Sequence, residues 1–214
     1  MADDWEEYSS LIAAEIQAWS NEVSEKPTPL FADMPPCPFA RKAWMDGHVV
    51  VHVTDHLAPV INIKSHELLP TDETVHVVAW TGWEDLTQQE FEAWLDEQNK
   101  NHFGIWLMGF HPDAEHNPNI PEFDGLVEDD YALILVQSLN KLVQASDKLR
   151  KTSYYEKFKI EDIKYINNRK EVCNAWNEKV NEKAYAEEEL SLIHISEPTR
   201  PERIGCCGVW VEKK

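Results

Sequence analysis

Hydrophobic positions along the first 160 residues switch between two periods. In residues 3–25, Trp5, Tyr8, Ile12, Ile16, Trp19 and Val23 recur every three or four positions with Asp, Glu and Gln between them, which predicts an amphipathic helix. Residues 26–38, KPTPLFADMPPCP, hold five prolines and predict a stiff, irregular connection. FARKAWMD then predicts a short helix that stops at Gly47. HVVVHVTD alternates: Val49, Val51 and Val53 share one face with Asp55, and His48, Val50, His52, Thr54 and His56 share the other, as in a strand. TVHVVAW, residues 74–80, predicts a second strand, and VINIK between them a short third one.

The clearest start signal lies in DLTQQEFEAWLDEQN. Thr87 and Glu90 have the spacing of a capping box, and Leu86 and Phe91 that of a hydrophobic staple, so a helix is expected over 87–99 with Phe91, Trp94 and Leu95 buried. FGIWLMGF, 103–110, is apolar at every side-chain position of both parities and predicts a central strand covered on both faces. A loop of about twenty residues, HPDAEHNPNIPEFDGLVEDD, follows. YALILVQS then predicts a strand leading into the helix LNKLVQASDKLRK. In 161–189, Ile163, Ile166, Cys173, Trp176 and Val180 form one apolar stripe on a charged helix.

This order predicts an α+β fold: a single mixed, largely antiparallel sheet of about four to five strands, helices packed on one face, and amphipathic helices at both ends. The expected organisation is one α+β domain over 1–160 and a helical extension over 161–189. Residues 190–214 break the pattern. LSLIHISEPTR resembles the in-frame translation of a sequencing adapter, and IGCCGVWVEKK resembles its continuation read with base errors. The segment is therefore read as a non-native tail and set aside. Setting it aside leaves two cysteines, Cys37 and Cys173, too few for a disulfide framework and suited to a reducing, cytoplasmic setting.

Charge narrows the function classes. The chain carries 39 acids against 20 bases, a formal net charge of −19. Such a surface repels phosphate backbones and anionic headgroups, so neither a nucleic-acid nor a membrane partner is expected. The N-terminus lacks the basic and apolar regions of a signal peptide, and no Gly-rich phosphate cradle occurs. No cofactor is indicated.

Candidate chemistry centres on three residues. Cys37 precedes Pro38 at the expected start of a short helix, where unpaired backbone amides favour a thiolate, with Arg41 and Lys42 one turn on. His111 follows the strand at 103–110, Pro112 holds it extended, and Asp113 is placed to orient its imidazole. Cys37, His111 and Asp113 would then act as nucleophile, base and orienter in nucleophilic or redox chemistry on a small molecule. They are expected to meet in space.

Two other readings stand beside this one. The acidic surface and long loop suit a non-catalytic interaction protein with a basic partner. Alternatively, His111, His116 and loop carboxylates could hold a metal. The loop lacks calcium-loop spacing. His48 and His52, four apart on a strand, lie about 13 Å from each other at about 3.3 Å per residue, too far to share one ion.

The two stretches that carry the candidate site also carry a family resemblance. Cys37-Pro38-Phe39-Ala40 and Phe110-His111-Pro112-Asp113 occur in the order of the CPFA and FHPD motifs of the DUF1415 family of uncharacterised bacterial proteins, and the resemblance spans roughly residues 5–150. It implies a shared site at Cys37, His111 and Asp113 but no specific activity. The chain departs from the family in a shorter gap between the motifs. It also has EDDYALILVQS where the family has a Pro-rich stretch with a downstream Arg.

Overall fold

The computed structural model describes residues 2–58, 60, 73–100, 104–114 and 131–196. Apart from Val60, the VINIK segment falls outside them, as do His66, His102, His116, all of the acidic loop beyond Ala114 and the tail beyond Ser196. Met1–Trp176 form one compact unit and Asn177–Lys214 a second.

The helices are α1 (Ala2–Trp19), α2 (Ala40–Met45), α3 (Gln88–Lys100), α4 (Leu139–Leu149) and α5 (Ile160–Ser196), and the strands are β1 (Val49–Thr54), β2 (Val75–Trp80), β3 (Ile105–Phe110) and β4 (Ala132–Ser138). The fold is α+β, with one four-stranded mixed sheet in the order β1-β2-β4-β3. β1 lies parallel to β2, and β4 lies antiparallel to both β2 and β3.

Two expectations are corrected. Helices cover both faces of the sheet, not one. Val77, Ala79 and Leu133 meet Ile12 and Ile16 of α1 on one face. Val78, Trp80, Ile134 and Val136 meet Phe91 and Leu95 of α3, with Val60, on the other. A sheet apolar on both faces must bury both. Secondly, β3 is an edge strand of the described sheet, not a central one. Its unbroken apolar run reflects cover from two sides: Ile105 and Leu107 join the α3 layer. Trp106 packs with Leu139 of α4 and Cys173 of α5 on the α1 side of the sheet.

α3 begins as the capping box requires. Thr87 N–H and Oγ1–H donate to Glu90 Oε2 at 2.9 and 2.7 Å, and Glu90 N–H returns to Thr87 Oγ1 at 3.3 Å. The backbone N–H and the hydroxyl of Thr87 lower the Glu90 pKa. The helix lies close on β3 because Gly109 has no side chain: a Cβ there would sit 2.5 Å from Leu95 Cδ1. At the end of α3 the buried Asn99 side chain pairs with the outer edge of β3. Leu107 N–H donates to its Oδ1 at 2.9 Å and its Nδ2 donates to Leu107 O at 3.0 Å.

The compact unit reaches past the predicted domain boundary at residue 160 because the first turns of α5 pack inward. Ile166, Arg169 and Cys173 are buried. Cys173 Sγ donates to Asn140 Oδ1 of α4 at 3.0 Å, and Arg169 Nη2 donates to Ser146 Oγ at 3.0 Å. Gly104, at φ +78°, adopts a left-handed conformation open to glycine, and a Cβ there would fall 2.7 Å from Trp176 Nε1. The α5 backbone stays helical to Ser196, past the start of the tail at 190.

Candidate functional site

The Pro-rich connection fixes Cys37 against the helical turn Ser20–Ser24 that follows α1. Its N–H donates to Ser24 O at 2.9 Å, and the neighbouring Pro36 carbonyl accepts from Tyr154 Oη–H. Tyr154 in turn packs on Phe31, with ring centroids 5.0 Å apart. Cys37 thus belongs to the α1 side of the sheet, since Trp44 of the following helix joins that core and donates its Nε1–H to Ser20 Oγ at 2.9 Å.

The electrostatics oppose the expected thiolate. Cys37 keeps an exposed surface, yet the protein packed around its sulfur raises the thiol pKa. The backbone N–H groups of Phe39 and Ala40 pull it down, but by less, and Glu25 adds to the rise. α2 is only six residues long, and Lys42 turns to Asp46 instead of the thiol. The helix-start argument identified the right amides but missed the desolvation that outweighs them.

His111 sits on the opposite side of the sheet. It is 6% exposed, with Trp83 edge-on at 5.3 Å and Phe91 of α3 at 5.4 Å. Its Nε2 is 3.0 Å from Leu86 O, and Asp113 N–H donates to its Nδ1 at 3.2 Å. A carbonyl only accepts and an amide only donates, so these partners select the Nε2–H tautomer and occupy both nitrogens. Asp113 therefore reaches His111 through its backbone amide, while its side chain is exposed.

His111 and Asp113 share one turn, as expected. Cys37 does not join them, because its partners lie on the α1 side and theirs on the α3 side. The sequence shows three chemically capable residues, but not that an alternating sheet separates them.

The histidine strand forms as expected, with His48 and His52 on separate partners, and adds a pair that its sequence does not reveal. His48 Nδ1 lies 3.8 Å from Glu73 Oε2, whereas His52 Nε2 lies 2.9 Å from His76 Nδ1 of β2. The two imidazoles meet because β1 and β2 run parallel in a register that sets His52 opposite Val78 and His76 opposite Val50, so both rings occupy the same face. No single-strand periodicity reveals that pair. Beyond it, a groove of about 550 Å³ is lined by Trp5, His52, Val53, Thr54, Asp55 and His56. Among the described residues, no group of three or more His, Cys, Asp or Glu side chains is placed to hold a metal ion. His116 and the carboxylates after Asp113 lie outside them.

Searches against family models, curated proteins and solved structures find no match to the chain. The resemblance to the DUF1415 family thus rests on the two four-residue motifs alone.

Proposed function

We propose that this chain is a non-catalytic, acidic interaction protein that binds a basic partner. The observation that carries this reading is where its charge lies. Residues 1–140 hold 26 acids and five bases, a net of −21, while 141–183 hold seven acids and 11 bases, a net of +4. The acids project from the helices on both sheet faces: Glu6, Glu7 and Glu22 are exposed beside or on α1, and Glu92, Asp96 and Glu97 on α3. One-signed surfaces of this kind steer oppositely charged partners and exclude like-charged ones.

The catalytic reading has less support. It needs an available imidazole nitrogen and an acidic thiol, and the geometry favours neither. A metal reading through His111 meets the same two occupied nitrogens. No helix among the described residues is long and apolar enough to cross a membrane. A cytoplasmic setting goes with this proposal, resting on the two cysteines before the tail.

The test is titration with an arginine-rich peptide of about 20 residues at about 50 and 300 mM salt. Affinity should fall at least about ten-fold with salt. Replacing Glu6, Glu7 and Glu22 by Gln, or Glu92 and Glu97 by Gln with Asp96 by Asn, should weaken binding unequally. Absence of binding at low salt ends the reading. Equal losses from the two sets would mean only generic polyanion behaviour.

A further inference from the structure

The two edges of the described sheet are treated differently. On β3 the outward N–H and C=O of Leu107 are taken by the Asn99 side chain. This blocks another strand from pairing there, a usual protection for an edge.

β1 has no such guard among the described residues. Val75 N–H donates to His48 O at 2.7 Å and Thr81 N–H to Thr54 O at 2.8 Å. In a parallel ladder this phase turns the backbone groups of residues 48, 50, 52 and 54 towards β2 and those of Val49, Val51 and Val53 outward. Among the described residues, nothing hydrogen-bonds to those outward groups. The strand, VVVHVT, contains no Lys, Pro or Gly, so it lacks the residues that usually spoil an edge.

The surroundings also suit an occupant. The groove lined by Trp5 and Val53 opens at the end of β1, and Trp5 is 45% exposed. Large aromatic side chains of this kind are common anchors in interfaces. Asp55, in the same groove, has a side chain 82% exposed. The preceding helix carries seven acids and no base over residues 1–25.

We infer that the β1 edge is the docking site, and that its occupant is an extended, lysine- or arginine-bearing segment of the partner. The segment would add to the sheet as a fifth strand beside Val49, Val51 and Val53. Its alternate side chains would then fall to opposite faces, apolar ones towards Trp5 and Val53 on the α1 side, while a basic residue at the end of the segment would reach the exposed Asp55 carboxylate in the same groove. A second copy of this chain would offer the same edge, but two bodies of charge −19 repel each other. The inference rests on the interaction reading above and specifies its surface.

The probe is a nine-residue peptide alternating lysine and valine, with a glutamate-for-lysine version as control. Binding to the full chain should slow hydrogen exchange at the Val49, Val51 and Val53 amides and leave Val50 and His52 unchanged. The glutamate peptide should not bind. Val51→Pro removes one outward donor without touching the β2 ladder, and should weaken the lysine peptide at least ten-fold with the far-ultraviolet spectrum retained. Exchange measured on the wild-type complex decides the matter even if that variant misfolds. Binding that leaves these three amides unchanged overturns the edge assignment while the interaction reading stands. Protection of the three amides in the free monomer, or a dimer formed through β1, also overturns it. No association of the arginine-rich peptide or of this one at low salt removes both.

Discussion

A cysteine thiol in water titrates near 8.5, and the surroundings of Cys37 move it upward. At pH 7–8 the thiolate fraction is then smaller than that of a free thiol, so iodoacetamide should alkylate Cys37 more slowly than free cysteine. Faster alkylation would restore the nucleophile reading. Linkage gives a second consequence. The folded state holds the thiol proton to higher pH than the unfolded state does, so this contribution to stability is full below about 8.5 and declines as pH rises above it. Denaturant midpoints followed from pH 7 to 10 should fall, and Cys37→Ser should remove the part of the decline that begins near 8.5. Tyr154, whose pKa burial also raises, acts in the same direction from a higher starting point, near 10. Arg169 poses the opposite problem. It is buried, its Nε has no acceptor among the described residues, and burial lowers its pKa. Arg169→Met keeps the packing and removes the desolvated charge, so stability should hold or rise by about 1–2 kcal/mol. A loss above about 2 kcal/mol in urea unfolding would show that the Arg169–Ser146 hydrogen bond outweighs the cost of burying the guanidinium. At this scale the sequence shows which residues have chemistry. It does not show their partners, because burial and a tautomer depend on segments remote in the chain, such as Leu86 for His111.

At the scale of elements, local signals read well and lateral ones poorly. The capping box of α3 spans four residues and its geometry is set within them, so Thr87 and Glu90 were legible. The place of β3 in the sheet was not, because an apolar run reports cover on two faces and is silent about neighbours on two sides. The same distinction orders two substitutions in α3. Thr87→Ala removes an exposed cap and should cost about 0.5–2 kcal/mol. Asn99→Ala leaves a buried N–H and C=O of Leu107 without partners, each at about 1–3 kcal/mol, and should cost more than the cap. Urea midpoints of the two variants, at equal slope, check the ranking. If Thr87→Ala proves the more damaging, the Asn99 clamp contributes little to holding β3.

For the molecule as a whole, periodicity gave the fold class, and the four strands formed where alternation or apolar runs placed them. It could not give the split of helices between the two faces. α1 and α3 carry similar apolar stripes, and only the strand order decides which side each one covers. It also placed the domain boundary too early, since the inward-facing Ile166 and Cys173 lie on a helix that reads as one continuous stripe beyond them. Truncation separates these contributions. Ending the chain after Asn168 removes Arg169, Val172 and Cys173 from the α4 layer and should abolish cooperative unfolding, because Trp106 and Leu139 lose their cover and open to water. Ending it after Glu189 removes only the stretch in which the apolar period has lapsed. The melting temperature should then move by no more than about one to two degrees, which for a chain of this size is at most about 1 kcal/mol. A larger drop in a thermal scan of that second truncation would show that residues 190–214 contribute to the fold and that their resemblance to adapter sequence is misleading.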